Sequence, residues 1–136
     1  HPNSRRQRQM CIRDRVRNGT TKGIDENALA AYNAPFPDDD HKQGVRQFPN
    51  LVPGTPRTPS AEPNKEAWKI LREWKKPFLC AFSDKDPIFS GVENSFYKLI
   101  PGCKDMPHVT IQNAGHFLQE DQPNACVEAI LSIKDI

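Results

Sequence analysis

Phe78-Leu79-Cys80-Ala81-Phe82, with Pro77 before it and Ser83-Asp84-Lys85-Asp86-Pro87-Ile88 after it, is the stretch on which the fold turns. A continuous apolar run closed by breakers predicts a strand covered on both faces, as in a parallel sheet. Upstream, Asn64 to Lys75 predicts an amphipathic helix: Ala67, Trp68, Leu71 and Trp74 recur at three- and four-residue intervals, while Lys65, Glu66, Lys69 and Glu73 face elsewhere. On that spacing the two tryptophans are packing residues. Downstream, Phe96, Leu99 and Ile100 predict a helix from Val92 to Ile100, stopped by Pro101-Gly102. His108-Val109-Thr110-Ile111 predicts a second strand. From Pro123 to Ile133 a last helix is expected, with Cys126, Val127, Ile130 and Leu131 on one face. Strand, helix, strand, helix is the order of parallel strands with crossover helices, an α/β architecture.

Farther upstream the pattern weakens. Asp25 can cap a short helix from Ile24, with Ala28, Leu29 and Tyr32 sharing a face until Pro35 and Pro37 stop it. Between Asn33 and Pro63 the prolines leave room for short helices and an ordered loop. The first residues, His1 to Arg15, show almost no apolar periodicity and are expected to form no folded element. Gln9-Met10-Cys11-Ile12-Arg13-Asp14 resembles the translation of a transposon-end adaptor, so residues 1–15 are read as a non-native or disordered basic segment. The competing reading is a basic arm for nucleic acid or another anionic partner.

Composition narrows the function classes. Nineteen basic and 17 acidic residues give a net charge of +2, too balanced for a nucleic-acid footprint on the folded part. Cys11, Cys80, Cys103 and Cys126 form no CxxC pair and there is no histidine cluster, so neither a metal, a cofactor nor a disulfide framework is expected. Cys80 and Cys126 lie in apolar runs, which suits a reduced, cytoplasmic setting. No apolar stretch reaches transmembrane length, and no membrane partner is expected.

Two loops follow the predicted strands, where open parallel sheets place catalytic groups: Ser83 to Ile88, and Asn113-Ala114-Gly115-His116-Phe117-Leu118-Gln119-Glu120-Asp121. An acid and then a histidine on successive strand ends is the latter part of the α/β-hydrolase order of nucleophile, acid and histidine. His116 is the candidate base. His41 and His108 are ordinary surface or packing histidines.

Together with Ala34-Pro35-Phe36-Pro37-Asp38 and Gly44-Val45-Arg46-Gln47-Phe48-Pro49, these loops resemble the haloalkane dehalogenases from about Thr20 to the end of the chain. The resemblance implies the C-terminal part of an α/β-hydrolase fold: a cap segment over residues 16–63, then the last two parallel strands and their helices over residues 64–136, an incomplete sheet. It implies a haloalkane substrate, water as second reactant and a halide product, with an aspartate nucleophile forming an alkyl-enzyme ester that a histidine-activated water cleaves. By that analogy His116 is the general base and Asp86 its orienting carboxylate. Asp84 is the rival. Asp86 is preferred because the family's acid stands three residues after the small residue ending the strand, here Ser83, and is followed by apolar cavity residues, here Ile88 and Phe89. Phe48, Pro49 and Val52 match cavity-lining positions of the cap.

The nucleophile itself is expected to be missing. Gly19-Thr20-Thr21-Lys22-Gly23 has the look of a nucleophile turn, but the Arg13-to-Asn18 stretch before it is too charged for a buried strand. The chain alone is expected to be inactive and marginally folded. An epoxide hydrolase-like enzyme and a non-catalytic binding protein with a basic arm are the alternatives.

Overall fold

The computed structural model describes residues 11–133, so the Arg5-Arg6-Gln7-Arg8 run lies outside the described residues. The chain forms two compact units. Among the described residues, one holds 11–17 and Ile24–Ala67, the other Asn18–Gly23 and 68–133.

The first unit is helical. Helix α1 spans Ile12–Gly19, its last two residues passing into the second unit. This corrects the expectation that residues 1–15 hold no folded element, at least over Ile12–Arg15. Ile12 and Val16 stand one helical turn apart and both are buried, while Arg13 and Arg17 pair with Glu26. One apolar pair per helix is enough to anchor it, though too little to register as a periodic pattern. Helix α2, Glu26–Asn33, starts where Asp25 predicts: its carboxylate accepts the N–H groups of Asn27 and Ala28. Leu29 is fully buried, with Ala28 and Tyr32 half-buried beside it. The proline-rich stretch contains a 3-10 turn at Asp40–Lys42, helix α3 at Gln43–Gln47 and a second 3-10 turn at Phe48–Leu51.

Helix α4 runs Ala61–Leu71 rather than Asn64 to Lys75. Pro63 falls within its first turn, where the missing N–H has no intrahelical partner to lose. At the other end Glu73 and Trp74 donate to Ile70 and Leu71, the tightened i−3 pattern that closes a helix.

In the second unit, β1 (Ala81–Ser83) and β2 (Val109–Ile111) pair in parallel, with Ala81 opposite Val109, Phe82 opposite Thr110 and Ser83 opposite Ile111. Helix α5 (Glu93–Leu99) and a 3-10 turn at Pro101–Cys103 connect them. Helices α6 (Leu118–Asp121) and α7 (Pro123–Ser132) follow β2. The ladder is shorter than the apolar run because the early donors go elsewhere: Phe78 N–H to the Gly102 carbonyl and Cys80 N–H to Nδ1 of His108.

Both faces of the run are covered, and period-2 alternation divides it between them. Phe78, Cys80 and Phe82 pack with Ile100, Cys103, Trp68, Leu71 and Phe96 on one side. Leu79 and Ala81 pack with Ile111, Ala114, Leu118, Ala125 and Ala129 on the other. Trp68 stacks on Phe96 at 5.7 Å between centroids, a core role, whereas Trp74 is partly exposed beneath the Lys76 ammonium. One expectation for α7 is overturned. Ala129 is the buried residue, while Val127, Ile130 and Leu131 are exposed. Small side chains let the helix approach the sheet closely, and the larger ones are displaced to its flanks.

Candidate active site

The two loops predicted to carry chemistry meet. Nδ1 of His116 lies 3.0 Å from Oδ2 of Asp86, and Oδ1 of Asp86 accepts the N–H of Ile88 at 2.8 Å. Asp86 is buried, and burial raises its carboxyl pKa. The His116 ring and the N–H groups of Ile88 and Phe89 outweigh that and hold it below the ordinary aspartate value. An ionised carboxylate only accepts, so this hydrogen bond requires a proton on Nδ1 of His116, which in the neutral ring makes Nε2 the nitrogen able to take one. The side chain of His116 is 30% exposed against 9% for Asp86, so the imidazole is reachable while its partner is sheltered.

Asp84 is engaged differently. Its Oδ1 accepts the N–H of Ala114 at 3.1 Å, joining the two strand-end loops, and hydrogen bonds from Asn113 and Ala114 hold its carboxyl low. Phe89 stacks on the His116 ring at 5.5 Å and Phe117 meets it edge-on at the same distance. Ile88 is exposed, its backbone serving Asp86. Phe48, Pro49 and Val52 are exposed residues of the first unit, on or just after its second 3-10 turn. His41 pairs with Asp38 on the surface, and His108 bridges backbone, its Nδ1 taking the Cys80 N–H and its Nε2 facing the Cys103 carbonyl.

A residue to which sequence reasoning gives no role is Asp121. It is buried, and its two oxygens accept the N–H groups of Thr21, Lys22 and Gly115 at 2.8–3.0 Å. The Gly19 carbonyl in turn accepts the Phe117 N–H at 2.8 Å. The Gly19-to-Gly23 segment thus borders the histidine loop, preceded by helix α1 and not by a strand. The signal available in the sequence is an acid shortly after Gly-His; its partners Thr21 and Lys22 lie about a hundred residues away in the chain and cannot be read from it. Among the described residues, no cluster of three or more His, Cys, Asp or Glu side chains is arranged to hold a metal. Nor is any helix among them long and apolar enough to cross a membrane.

No family model matches the chain. Curated relatives do. A haloalkane dehalogenase of Psychrobacter cryohalolentis is 48% identical over 114 residues, 84% of this chain. Over the same length, haloalkane dehalogenases of Mycolicibacterium paratuberculosis and Mycobacterium marinum are 43% and 41% identical. The chain belongs to the haloalkane dehalogenase family. It spans 38% of the length of each of these relatives. The parallel strand pair and its helices agree with a partial α/β fold.

Proposed function

We propose that the chain is the C-terminal portion of a haloalkane-hydrolysing enzyme and supplies its general base, His116, and orienting acid, Asp86. The hydrogen bond between His116 Nδ1 and buried Asp86 supports this reading most. In the first step a carboxylate nucleophile attacks the carbon bearing the halogen, forming an ester as the carbon–halogen bond breaks and halide leaves. In the second, Nε2 of His116 takes a proton from water, whose oxygen attacks the ester carbonyl carbon; the alkoxide leaves as alcohol with the proton returned by the imidazolium, and the acid so formed loses its remaining proton to solvent, restoring the carboxylate. Asp86 stabilises the imidazolium between these events.

The nucleophile is assigned to the part of the relatives that this chain does not span. Asp84 and Asp121 are poor candidates because both are held by backbone N–H groups. Ile88 and Phe89 are proposed to present apolar surface to the substrate beside the histidine, and Phe48, Pro49 and Val52 to do so from the cap segment.

Fusing the chain behind the unmatched N-terminal part of the Psychrobacter cryohalolentis relative tests the assignment. Repeated halide release from a short bromoalkane, held to one equivalent by His116→Gln and strongly slowed by Asp86→Asn, is the expected result. A folded fusion that releases halide equally well with either substitution contradicts it.

A further inference from the structure

We propose that Asp121 is a positioning residue for His116, clasping the segment from Gly19 to Lys22 onto the loop that carries the histidine. The inference rests on His116 and Asp86 working as a pair. Asp121 is 2% exposed, and backbone N–H groups balance its carboxylate. Oδ1 takes Thr21 and Lys22, Oδ2 takes Thr21 and Gly115, so one carboxylate joins two segments distant in sequence. Burial raises this carboxyl, and the N–H groups of Gly115, Lys22 and Thr21 bring it below the ordinary aspartate value.

Other contacts tighten the same junction. Thr21 Oγ1 donates to the Asn113 carbonyl at 2.9 Å, and Lys22 Nζ to the Asp121 carbonyl at 2.8 Å. A Cβ on Gly115 would stand 2.6 Å from the Gly19 carbonyl oxygen, and one on Gly19 would stand 2.2 Å from the Phe117 ring. Both glycines are needed for an approach this close. Gly115 directly precedes His116, and Phe117, whose N–H is tied to Gly19, directly follows it. The imidazole therefore sits between two fastened peptide units. Its direction toward Asp86 depends on backbone torsions that the clasp fixes, the role of a supporting shell around a reacting group.

Asparagine cannot replace this carboxylate. Both oxygens receive N–H donors, so an amide nitrogen at either place opposes a donor. Nitrogen-15 NMR of the His116 ring in the full chain reads the consequence, because the ring shifts distinguish the Nδ1–H from the Nε2–H tautomer. In the unmodified chain the Nδ1–H form is expected to dominate, and Asp86→Asn is expected to abolish that dominance. Asp121→Asn, folded by circular dichroism, is expected to reduce it in the same sense. An unchanged His116 tautomer in folded Asp121→Asn, with Asp86→Asn altered, overturns the clasp and leaves the pair standing. An unchanged tautomer in Asp86→Asn overturns the pair, and the clasp with it. If Asp121→Asn does not fold, Thr21→Pro, which removes the Thr21 N–H and hydroxyl donors of the junction and keeps the carboxylate, decides by the same readout. A purely structural Asp121 would alter stability and leave the tautomer of the folded variants alone.

Discussion

Oδ2 of Asp86 meets Nδ1 of His116 at 3.0 Å across the ends of two adjacent parallel strands, and the other oxygen of Asp86 is tied to the backbone of its own loop. That second bond keeps the carboxylate aimed. Burial opposes ionisation at Asp86 but is outweighed by the imidazole and backbone donors, and at Asp121 it is outweighed by backbone donors together with the Thr21 side chain.

Acid should therefore weaken the fold. Asp86 and Asp121 both have folded-state values below the ordinary aspartate value. Their stabilising contribution is present above the unfolded value, about 3.9, and is lost as pH falls through the lower folded values. Thermal melts should give a nearly constant Tm from about pH 7 to 5 and a falling one below about pH 4. Asp121→Asn should lower Tm at neutral pH and flatten the acid limb. An acid limb as steep in the variant as in the parent would contradict this.

His108 is expected to matter for stability alone. Its ring links the backbone of Cys80 to that of Cys103, the two positions that frame the start of β1 and the turn after α5. With Nδ1 accepting from the Cys80 N–H, Nε2 must be the protonated nitrogen that donates to the Cys103 carbonyl. His108→Ala strands both groups and should cost about 1–3 kcal/mol in urea unfolding. A change below about 0.5 kcal/mol would mean that water replaces the ring without loss.

Much of the second unit is legible in the sequence, for identifiable reasons. The Phe78-to-Phe82 run sits between two packed faces, so its uniform apolarity reflects a real environment. The stripe of Phe96, Leu99 and Ile100 is likewise the covered side of α5. The buried face of α7 is not legible, because hydrophobicity ranks Ile130 above Ala129, whereas close approach to Ile111 and Ala114 selects the smaller residue. Helix α1 escapes a periodicity reading because Ile12 and Val16 are its whole buried stripe amid arginines. The meeting of Asp86 with His116 is foreshadowed by their loops; the contacts of Asp121 with Thr21 and Lys22 depend on tertiary closure alone.

The four cysteines should divide into two classes. Cys80 and Cys103 are buried, and burial pushes the Cys80 thiol up to about 12, so neither offers much thiolate to a reagent. Cys11 and Cys126 are partly exposed. Native-state alkylation followed by peptide mass spectrometry should modify Cys11 and Cys126 first, and Cys80 and Cys103 only on unfolding. Rapid native labelling of Cys80 would contradict the packing described.

Glycine substitutions offer a sharp contrast. A Cβ on Gly102 would stand 2.0 Å from the Lys76 carbonyl oxygen, beneath the paired hydrogen bonds of Gly102 N–H to Trp74 and Phe78 N–H to Gly102. Gly102→Ala should destabilise by about 2 kcal/mol or more. At Gly44, inside α3, a Cβ would meet nothing within 4 Å, and Gly44→Ala should be neutral or stabilising by up to about 1 kcal/mol. Paired urea titrations check both; equal effects would contradict the difference in surroundings.

Ile130, Val127 and Leu131 leave an apolar flank on α7, beside a groove lined by Leu79, Ala81, Ile111 and Leu118. Such a surface favours self-association. Light scattering should show concentration-dependent assembly of the purified chain, reduced by Ile130→Lys. A chain that stays monomeric at low and high concentration would contradict this.

His116 is proposed above as the base of the ester-cleaving step. Intact-protein mass spectrometry of the fused enzyme, mixed with a bromoalkane, tests it most directly. With His116→Gln the protein is expected to gain the mass of one alkyl group and keep it, while halide release stops after one equivalent. Continued turnover by the His116→Gln enzyme, with no retained adduct, would contradict the account.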